Sequence, residues 1–275
     1  MSRYEFSSAA VVVSEGVAEV TLTATGKGQR MGPDYWSQFP LLFEQLAADD
    51  AVRVVLLRAG AEHFSFGLDL AAMASDLAEL TDPQAGALMR TRFLGTVKKM
   101  QHTHNAVAAC RKPVIAAVQG WCIGGGMDLI TACDIRLASQ EAKFSVREVK
   151  LAMVADVGTL ARLPAIIGQG ATRELAFTGE DFDAKRAHQL GLITDVYESP
   201  ATLLTAARSL AAKIAKNAPL TVQGIKQVLN FTSEREAALS LDAVSLWNAA
   251  FLPSEDLQEA IGAFMEKREP VFKGR

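Results

Sequence analysis

The feature that most constrains the fold of this chain is a run of three glycines, Gly124, Gly125 and Gly126, between two apolar segments. The segment before it, residues 113–118, has the composition of a buried strand, and the segment after it, residues 127–133, allows about two helical turns. The first N–H groups of a helix have no intrahelical acceptor, so a strand that turns through glycines into a helix presents free backbone donors. The pattern therefore predicts an α/β fold with a loop that can bind an oxygen atom of a ligand.

Strand and helix patterns alternate along most of the chain. Beyond residue 200 the pattern is almost wholly helical, and Pro219 and Pro253 divide it into three or four helices. We therefore expect parallel strands joined by crossover helices in a core at residues 1–199, followed by a helical region at residues 200–275. Strands are expected at 11–13 and 17–23 (a hairpin), 52–58, 113–118, 135–138, 143–145 and 192–196. Helices are expected at 33–48, 70–80, 83–109, 156–167, 170–178 and 184–190, and loops at 26–32 and 62–70.

The cysteines and histidines form no motif that indicates a metal site or a nucleophile. Cys110, Cys122 and Cys133 lie in or beside apolar runs without metal-ligand spacing, which favours a reducing compartment. No histidine can be paired with a serine or cysteine, and His102 and His104 belong to a long polar helix that predicts a surface position.

Charge and hydropathy exclude several classes of protein. The net charge is only −3 and no basic run interleaves with aromatic residues, so a nucleic-acid surface is not expected. No apolar run is long enough to span a bilayer, and we expect no membrane partner. The N-terminus lacks a signal-peptide pattern and the last residues, Phe-Lys-Gly-Arg, lack a Ser-Lys-Leu ending. These features predict a cytoplasmic protein.

Three carboxylates follow the glycine loop in apolar surroundings, at Asp128, Glu148 and Asp156. Each has an ordinary structural alternative. Asp128 could be a favourable charge in the first turn of a helix, and Asp156 could be a helix N-cap. Glu148 could be a solvated partner of Arg147 or Lys150. Buried together, the three acids would instead have shifted pKa values and would suit acid–base catalysis.

A second glycine-containing loop, residues 64–70, also follows a predicted strand. The N–H of Phe66 could be a hydrogen-bond donor there, and Gly67 could allow a ligand to approach closely. The structural alternative is a connecting loop in which Asp69 caps a helix. Two such loops could place two N–H donors around one oxygen atom, an arrangement that stabilises negative charge in a transition state.

Taken in order, the motifs FSFGLDL (64–70), KPVIAAVQG (112–120), IGGGMDL (123–129) and CDIR (133–136) resemble the enoyl-CoA hydratase/isomerase (crotonase) superfamily. The resemblance implies a crotonase-like spiral of ββα turns with a helical C-terminal trimerisation region, assembled as a homotrimer or as a homohexamer built from two trimers. It implies an acyl-CoA thioester substrate, of which coenzyme A is part, and no metal or redox cofactor.

The resemblance also implies which residues bind the substrate. The thioester oxygen would accept hydrogen bonds from the N–H groups of Phe66 and Gly125, with Gly67, Leu68, Asp69 and Leu70 beside it. Most relatives have a small residue, often alanine, where Phe66 stands. That difference keeps the N–H donor but changes the expected shape of the acyl pocket.

Within the superfamily the acids are most similar to those of Δ3,5-Δ2,4-dienoyl-CoA isomerases. Hydratases typically have glutamate at the position of Asp128 and glycine at that of Asp156, whereas ADVGTL (155–160) and MASD (73–76) resemble the isomerases. This implies catalysis by all three acids, with Glu148 serving C2, Asp156 serving C6 and Asp128 supporting them. The alternatives are an enoyl-CoA hydratase or Δ3-Δ2-enoyl-CoA isomerase of the same fold, and a non-catalytic acyl-CoA- or RNA-binding relative.

Overall fold

The computed structural model describes residues 4–23, 27–73 and 86–274. In the first half of the chain the elements are β1 (Ala9–Ser14), β2 (Val17–Leu22), β3 (Gly28–Met31), α1 (Pro33–Ala48), β4 (Val54–Ala59), β5 (His63–Leu68), α2 (Ala87–Ala109), β6 (Val114–Val118), β7 (Trp121–Ile123) and α3 (Gly125–Thr131). They are followed by β8 (Ile135–Ser139), β9 (Lys143–Ser145), a 3-10 turn (Glu148–Leu151), α4 (Thr159–Ile167), α5 (Gln169–Thr178), β10 (Phe182–Asp183), α6 (Ala184–Gln189), β11 (Asp195–Tyr197), α7 (Pro200–Ala215), α8 (Pro219–Phe251) and α9 (Glu255–Glu266).

The strands form two sheets that the chain visits in turn. One sheet has the order β1-β2-β4-β6-β8-β11, and the other has the order β10-β9-β7-β5-β3. Within the described residues, β1/β2 and β9/β10 pair antiparallel and the other neighbours pair parallel. The chain supplies strands to the two sheets in consecutive pairs. In the pairs β4/β5, β6/β7 and β8/β9, the first strand joins the six-stranded sheet and the second joins the five-stranded sheet. This repeat is the spiral of ββα turns expected from the sequence, and the α/β class is confirmed.

The expected hairpin is confirmed, and its turn has a local cause. Ser14 pairs with Val17, so only Glu15 and Gly16 connect β1 to β2. Both turn residues have positive φ, +50° and +82°. This is the backbone of a two-residue type I′ turn, whose twist matches that of the two strands it joins.

The main core lies between the sheets and the helices around them. Helix α1 begins at Pro33, whose fixed φ suits the first helical turn, and it buries Tyr35, Phe39 and Phe43 on one face. The outer face of the six-stranded sheet is covered by α7, which packs Leu203, Ala207, Ala211 and Ala215 against β4, β6 and β8. Helix α7 is therefore part of the sheet layers, while α8 and α9 pack on α2, α4 and the 3-10 turn.

Several sequence-based boundaries were wrong in the second sheet. Residues 28–31 and 63–68 were expected in loops but form β3 and β5, and β7 and β10 were not predicted. Strands β3, β5 and β7 contain or adjoin glycines, which lowers their local propensity, and β10 is only two residues long. Parallel pairing supplies the hydrogen-bond partners of β3, β5 and β7 and overrides that propensity, while β10 pairs antiparallel with β9.

Two helix predictions need correction. The helix expected from residue 156 begins at Thr159, since Gly158 is its N-cap and Asp156 lies in the preceding irregular segment. Of the helix expected at residues 70–80, residues 70–73 form a turn; the remainder, with the expected start at Pro83 and most of the MASD motif, lies outside the described residues. Nowhere in the described ranges does a helix combine the length and apolarity needed to cross a membrane.

Candidate active site

The glycine loop places Asp128 inside the molecule. Gly124 has φ +52° and is the N-cap of α3, so Gly125 is the first helical residue and its N–H has no acceptor within the helix. A Cβ atom on Gly126 would lie 3.0 Å from the Cβ of Ser65 in β5, which shows how closely α3 packs on this strand. Asp128, in the first turn, is consequently only 2% exposed.

The two glycine loops meet, as the sequence predicted. Gly67 has φ +75°, a conformation that side chains disfavour, and a Cβ atom there would lie 2.8 Å from the Gly125 nitrogen and 2.9 Å from the Ile123 oxygen. Glycine at position 67 therefore allows β5 to approach the start of α3. The backbone of Phe66, its neighbour, is thereby brought beside the N–H of Gly125.

A cavity of ≈ 870 Å³ opens at this contact. Phe66, Leu68, Asp69, Leu70 and Gly125 all line it, whereas the backbone of Gly67 lies behind the lining at the contact between the loops. The cavity is also lined by all three predicted acids, Asp128, Glu148 and Asp156. Its apolar wall includes Trp36, Phe93, Val97, Met100, Met153 and Val157. The residues predicted from the sequence are therefore gathered at one mostly apolar cavity.

The ring of Phe66 lies toward strand β3. A Cβ atom on Gly28 would be 3.0 Å from its Cε2 atom, and the ring packs edge-to-face on His63 at 5.1 Å between centroids. The absence of a side chain at Gly28 makes room for the ring at the edge of the cavity. The bulky side chain therefore finds space beside β3.

Asp69 has the structural role considered for it as an alternative. Its Oδ1 accepts a hydrogen bond of 3.0 Å from the N–H of Ala72, and its carbonyl accepts one from Met73. It therefore caps a turn while also lining the cavity.

Asp128 is held at the start of helix α4. Its Oδ1 accepts a hydrogen bond of 2.6 Å from the N–H of Thr159, the first residue of that helix. Burial raises the pKa of Asp128 to about 6, against the opposing effects of the Thr159 hydrogen bonds and the positive charge of Arg162. Asp128 is therefore mostly ionised at neutral pH although it is buried.

Glu148 begins the 3-10 turn and faces the cavity with one oxygen lacking a partner. Its Oε2 is buried without a hydrogen-bond donor among the described residues, and Arg147 pairs with Asp181 instead. Burial, followed by the negative charge of Asp128, raises the pKa of Glu148 to about 8. The ion pair considered as its structural alternative is absent from the described part of the chain.

Asp156 is positioned by two amide side chains from helices distant in sequence. Its Oδ2 accepts a 2.7 Å hydrogen bond from Asn248 of α8, whose amide also donates to the carbonyl of Val154. Gln101 of α2 donates to the carbonyl of Asp156 at 2.7 Å. Burial raises the pKa of Asp156 to about 7, while the Asn248 hydrogen bond lowers it.

Sequence reasoning missed the residues that support the acids. Asn248, Gln101 and Arg162 are isolated polar positions in amphipathic helices, and no motif marks them. His104, expected at the surface, is fully buried and bonds Tyr35 at 3.1 Å. The apolar residues at 107 and 108 lie on the same face and were the available signal, but the polar neighbours of His104 outweighed it.

Five cationic side chains also line the cavity: Arg30, Arg92, Arg147, Lys150 and Arg268. They make this face suitable for binding an anionic group, whereas the acids lie among apolar residues. The site thus combines backbone donors, poorly solvated acids and positive charge, which suits proton transfer on a carbonyl compound that carries an anionic group.

Comparisons with known proteins agree with this geometry. Residues 13–275 match the family described as enoyl-CoA hydratase/isomerase. The mitochondrial Delta(3,5)-Delta(2,4)-dienoyl-CoA isomerase of Dictyostelium discoideum is 41% identical over 94% of this chain and 87% of its own. The peroxisomal enzyme of that name from Arabidopsis thaliana is 41% identical over 87% of this chain and 86% of its own. The crystal structure of an enoyl-CoA hydratase/isomerase from Pseudoalteromonas atlantica superimposes with a TM-score of 0.83 at 25% identity, covering 97% of this chain and 100% of the other.

These comparisons confirm the resemblance stated from the motifs and the expected fold. They overturn the expected location: both isomerases named above are described as mitochondrial or peroxisomal, so the prediction of a cytoplasmic protein was wrong. That prediction was drawn from patterns at the two ends of the chain, so its failure does not affect the description of the cavity.

Proposed function

The chain belongs to the enoyl-CoA hydratase/isomerase family, and from this premise we propose that it acts as a Δ3,5-Δ2,4-dienoyl-CoA isomerase in fatty-acid oxidation. Relatives 41% identical over most of the chain are named for this activity. The observation that carries the proposal is the convergence of Asp128, Glu148 and Asp156 on one cavity whose end holds the backbone donor of Gly125.

The chemistry requires two separated proton transfers. A 3,5-dienoyl thioester loses a proton from C2, and the electron pair of that C–H bond spreads over the diene and onto the thioester oxygen. The dienolate then takes a proton at C6, which leaves double bonds at C2 and C4. C2 and C6 are four bonds apart, so two carboxyl groups reach them more easily than one.

The N–H groups of Phe66 and Gly125 are the proposed donors to the thioester oxygen. Negative charge grows on this oxygen as the C2 proton leaves, so fixed donors stabilise the dienolate more than the substrate. Removal of one such donor from an enzyme typically lowers the rate by about 10²–10³-fold. The contact between the loops at Gly67 keeps both donors in place.

One carboxyl must be ionised and the other protonated at the start of each turnover. Because the pKa values of Glu148 and Asp156 are both raised, to about 8 and about 7, the pair holds a proton at neutral pH. We assign Glu148 to C2 from its family position and Asp156 to C6. Burial raises both pKa values, so either carboxyl can hold the single proton, and the reactive state is the one with Glu148 ionised and Asp156 protonated. After turnover the proton must return to Asp156.

The isomerase activity is tested by turnover on a small panel of thioesters. With a 3,5-dienoyl-CoA the expected result is growth of the conjugated 2,4-dienoyl absorbance. A 2-enoyl-CoA in the same assay distinguishes a hydratase, which would deplete the enoyl absorbance, and a 3-enoyl-CoA distinguishes a Δ3-Δ2 isomerase. Turnover of either of these with an inert dienoyl substrate would refute the proposal.

The assignment of the two acids is tested by exchange of the C2 protons with solvent deuterium. We expect exchange to be lost in Glu148→Gln and retained in Asp156→Asn, since only the C2 base is needed for exchange. The opposite pattern would reverse the two roles without affecting the proposed activity.

The substrate's coenzyme A portion explains the positive charge at the cavity. Among the cationic residues there, Arg147 and Arg268 are paired with acidic side chains, so Arg30, Arg92 and Lys150 are the better candidates to contact its phosphates. The reaction itself needs no cofactor, because carboxyl groups move the protons and N–H donors balance the charge. Activity is accordingly expected to survive prolonged treatment with a metal chelator.

The proposed assembly is a homotrimer or a homohexamer of two trimers. Helix α8 exposes an unusual number of large apolar side chains, namely Leu220, Ile225, Val228, Leu229, Phe231, Leu239, Leu246, Trp247 and Phe251. Exposed apolar surface of this extent is typical of a contact between subunits. Sedimentation equilibrium distinguishes a trimer or hexamer from a monomer, and a monomeric mass at micromolar concentration would refute the assembly.

A further inference from the structure

Arg162, which lies one turn inside α4, is a buried charge that the proton transfers described above do not use. The residue is 6% exposed. Its Nη2 donates to Asn105 Oδ1 at 2.7 Å, and Nη2 and Nε approach the carboxylate of Glu234 at 3.1 and 3.2 Å. Its Nη1 is buried without an acceptor among the described residues. A buried N–H without an acceptor is costly, so its position calls for a physical explanation.

That unpaired nitrogen and Asp128 lie on either side of Gly158. The point where a Cβ atom on Gly158 would stand is 2.9 Å from Arg162 Nη1 and 3.8 Å from Asp128 Cβ. Position 158 has no side chain, so none stands between the two residues there, and the guanidinium acts on the carboxylate by its charge rather than as a direct ion pair. The N–H of Thr159 bonds the same carboxylate, so the start of α4 and its buried cation act on Asp128 together.

We propose that Arg162 is a positioning residue for the reaction: it keeps Asp128 ionised, so that the proton used for transfer is held by Glu148 and Asp156. The proposal rests on the proposed function for its chemical meaning. Without the cation, Asp128 would bind a proton at a higher pH. The negative charge of Asp128 would then be lost from the site over part of the pH range in which the enzyme works.

The other groups around Asp128 do not supply this charge. Tyr35 and Cys122 face it, and burial raises the pKa of each, so both stay neutral. His104 lies near Arg162, and burial together with the charge of Arg162 lowers its pKa to about 3, so it is neutral too. Among the described residues, the charged groups that act on Asp128 are therefore Arg162 and the two neighbouring acids, Glu148 and Asp156.

The test is the pH dependence of kcat/KM in variants that change the charge in opposite directions. Arg162→Met removes the cation, and we expect the acidic limb to move up by about one pH unit, since a nearby opposite charge typically lowers a carboxyl pKa by about 1–3. Glu234→Gln removes the counter-charge of Arg162, so the limb is expected to move down. Arg162→Lys keeps the charge and is expected to restore most of the wild-type profile.

Arg173→Met is the matched control, because it makes the same substitution at an exposed arginine of α5. A purely structural role for Arg162 would lower kcat without moving the limb, and Arg162→Lys would then lose as much activity as Arg162→Met. That pattern overturns the proposal. If Arg162→Met fails to fold, the opposite shift in Glu234→Gln and the wild-type-like limb in Arg162→Lys still decide the question.

A measurement without turnover separates failure of this inference from failure of the proposed function. In protein labelled with ¹³C at aspartate side-chain carboxyls, the Asp128 signal is identified by its loss in Asp128→Asn. Its titration midpoint is expected to rise in Arg162→Met and fall in Glu234→Gln, whether or not the dienoyl thioester reacts. An unchanged midpoint in both variants refutes the role of Arg162, while an inert wild-type enzyme refutes only the proposed activity.

Discussion

Replacing Glu148 by glutamine is expected to stabilise the protein while it abolishes most of the activity. Glu148 is held where burial and the charge of Asp128 oppose its ionisation, and its Oε2 has no hydrogen-bond donor among the described residues. Glutamine has nearly the same shape but cannot ionise. The variant therefore removes the unfavourable free energy of keeping an ionisable carboxyl group in this part of the folded protein.

The magnitude follows from the pKa difference. The pKa of Glu148 is about 8 in the folded protein against 4.5 ordinarily. Between these values the unfolded chain has released its proton while the folded chain retains it, so stability falls as pH rises through this window. Each pH unit corresponds to about 1.4 kcal/mol, so the full cost above the folded-state pKa is on the order of 5 kcal/mol. Below the ordinary pKa the two proteins should be equally stable.

The assay is urea unfolding of wild type and Glu148→Gln at pH 5 and pH 9, at one protein concentration because an oligomer's stability depends on it. The difference in unfolding free energy is expected to be small at pH 5 and to reach several kcal/mol at pH 9. Glu198→Gln, which alters an exposed glutamate, is the control. In the same preparation kcat should fall by about 10²–10⁴-fold. A stability difference that is equal at both pH values would refute the reasoning.

Two further variants test the support of the site. Gly67→Ala forces alanine to φ +75° and places its Cβ 2.8 Å from the Gly125 nitrogen. We expect kcat to fall by at least about 10²-fold and the melting temperature to fall as well. The control is Gly95→Ala, whose Cβ meets nothing within 4 Å and which should keep the wild-type kcat and melting temperature. Asn248→Leu removes the hydrogen bond that lowers the pKa of Asp156, so that pKa should rise above about 7 and kcat should fall roughly tenfold. A pH–rate profile unchanged in Asn248→Leu, or full activity in Gly67→Ala, would contradict the geometry described.

Much of the site was predictable because its residues lie in local patterns. The strand–glycine–helix order at Gly124–Gly126 determines that Gly125 begins a helix, and an acid one turn later must lie near its start. The six-stranded sheet was largely predicted for a similar reason. Its central strands are continuous apolar runs, which the chain buries on both faces whatever its other contacts are.

The second sheet and the supporting residues could not be obtained in this way. Strands β3 and β5 have little propensity of their own and exist because each finds a parallel partner distant in sequence. The same holds for polar side chains: nothing local distinguishes Asn248 or Arg162 from a solvated residue of an amphipathic helix.

The sequence by itself determined the class of fold, the order of the two glycine loops and the identity of the three acids, since each depends on residues close together in the chain. Only the tertiary structure decided that Asn248 positions Asp156, that Arg162 and Asp128 lie on either side of Gly158, and that His104 is buried. The physical reason is that solvation and charge at a residue depend on which distant helices pack against it. Those contacts set the pKa values, and the pKa values determine how the acids can work.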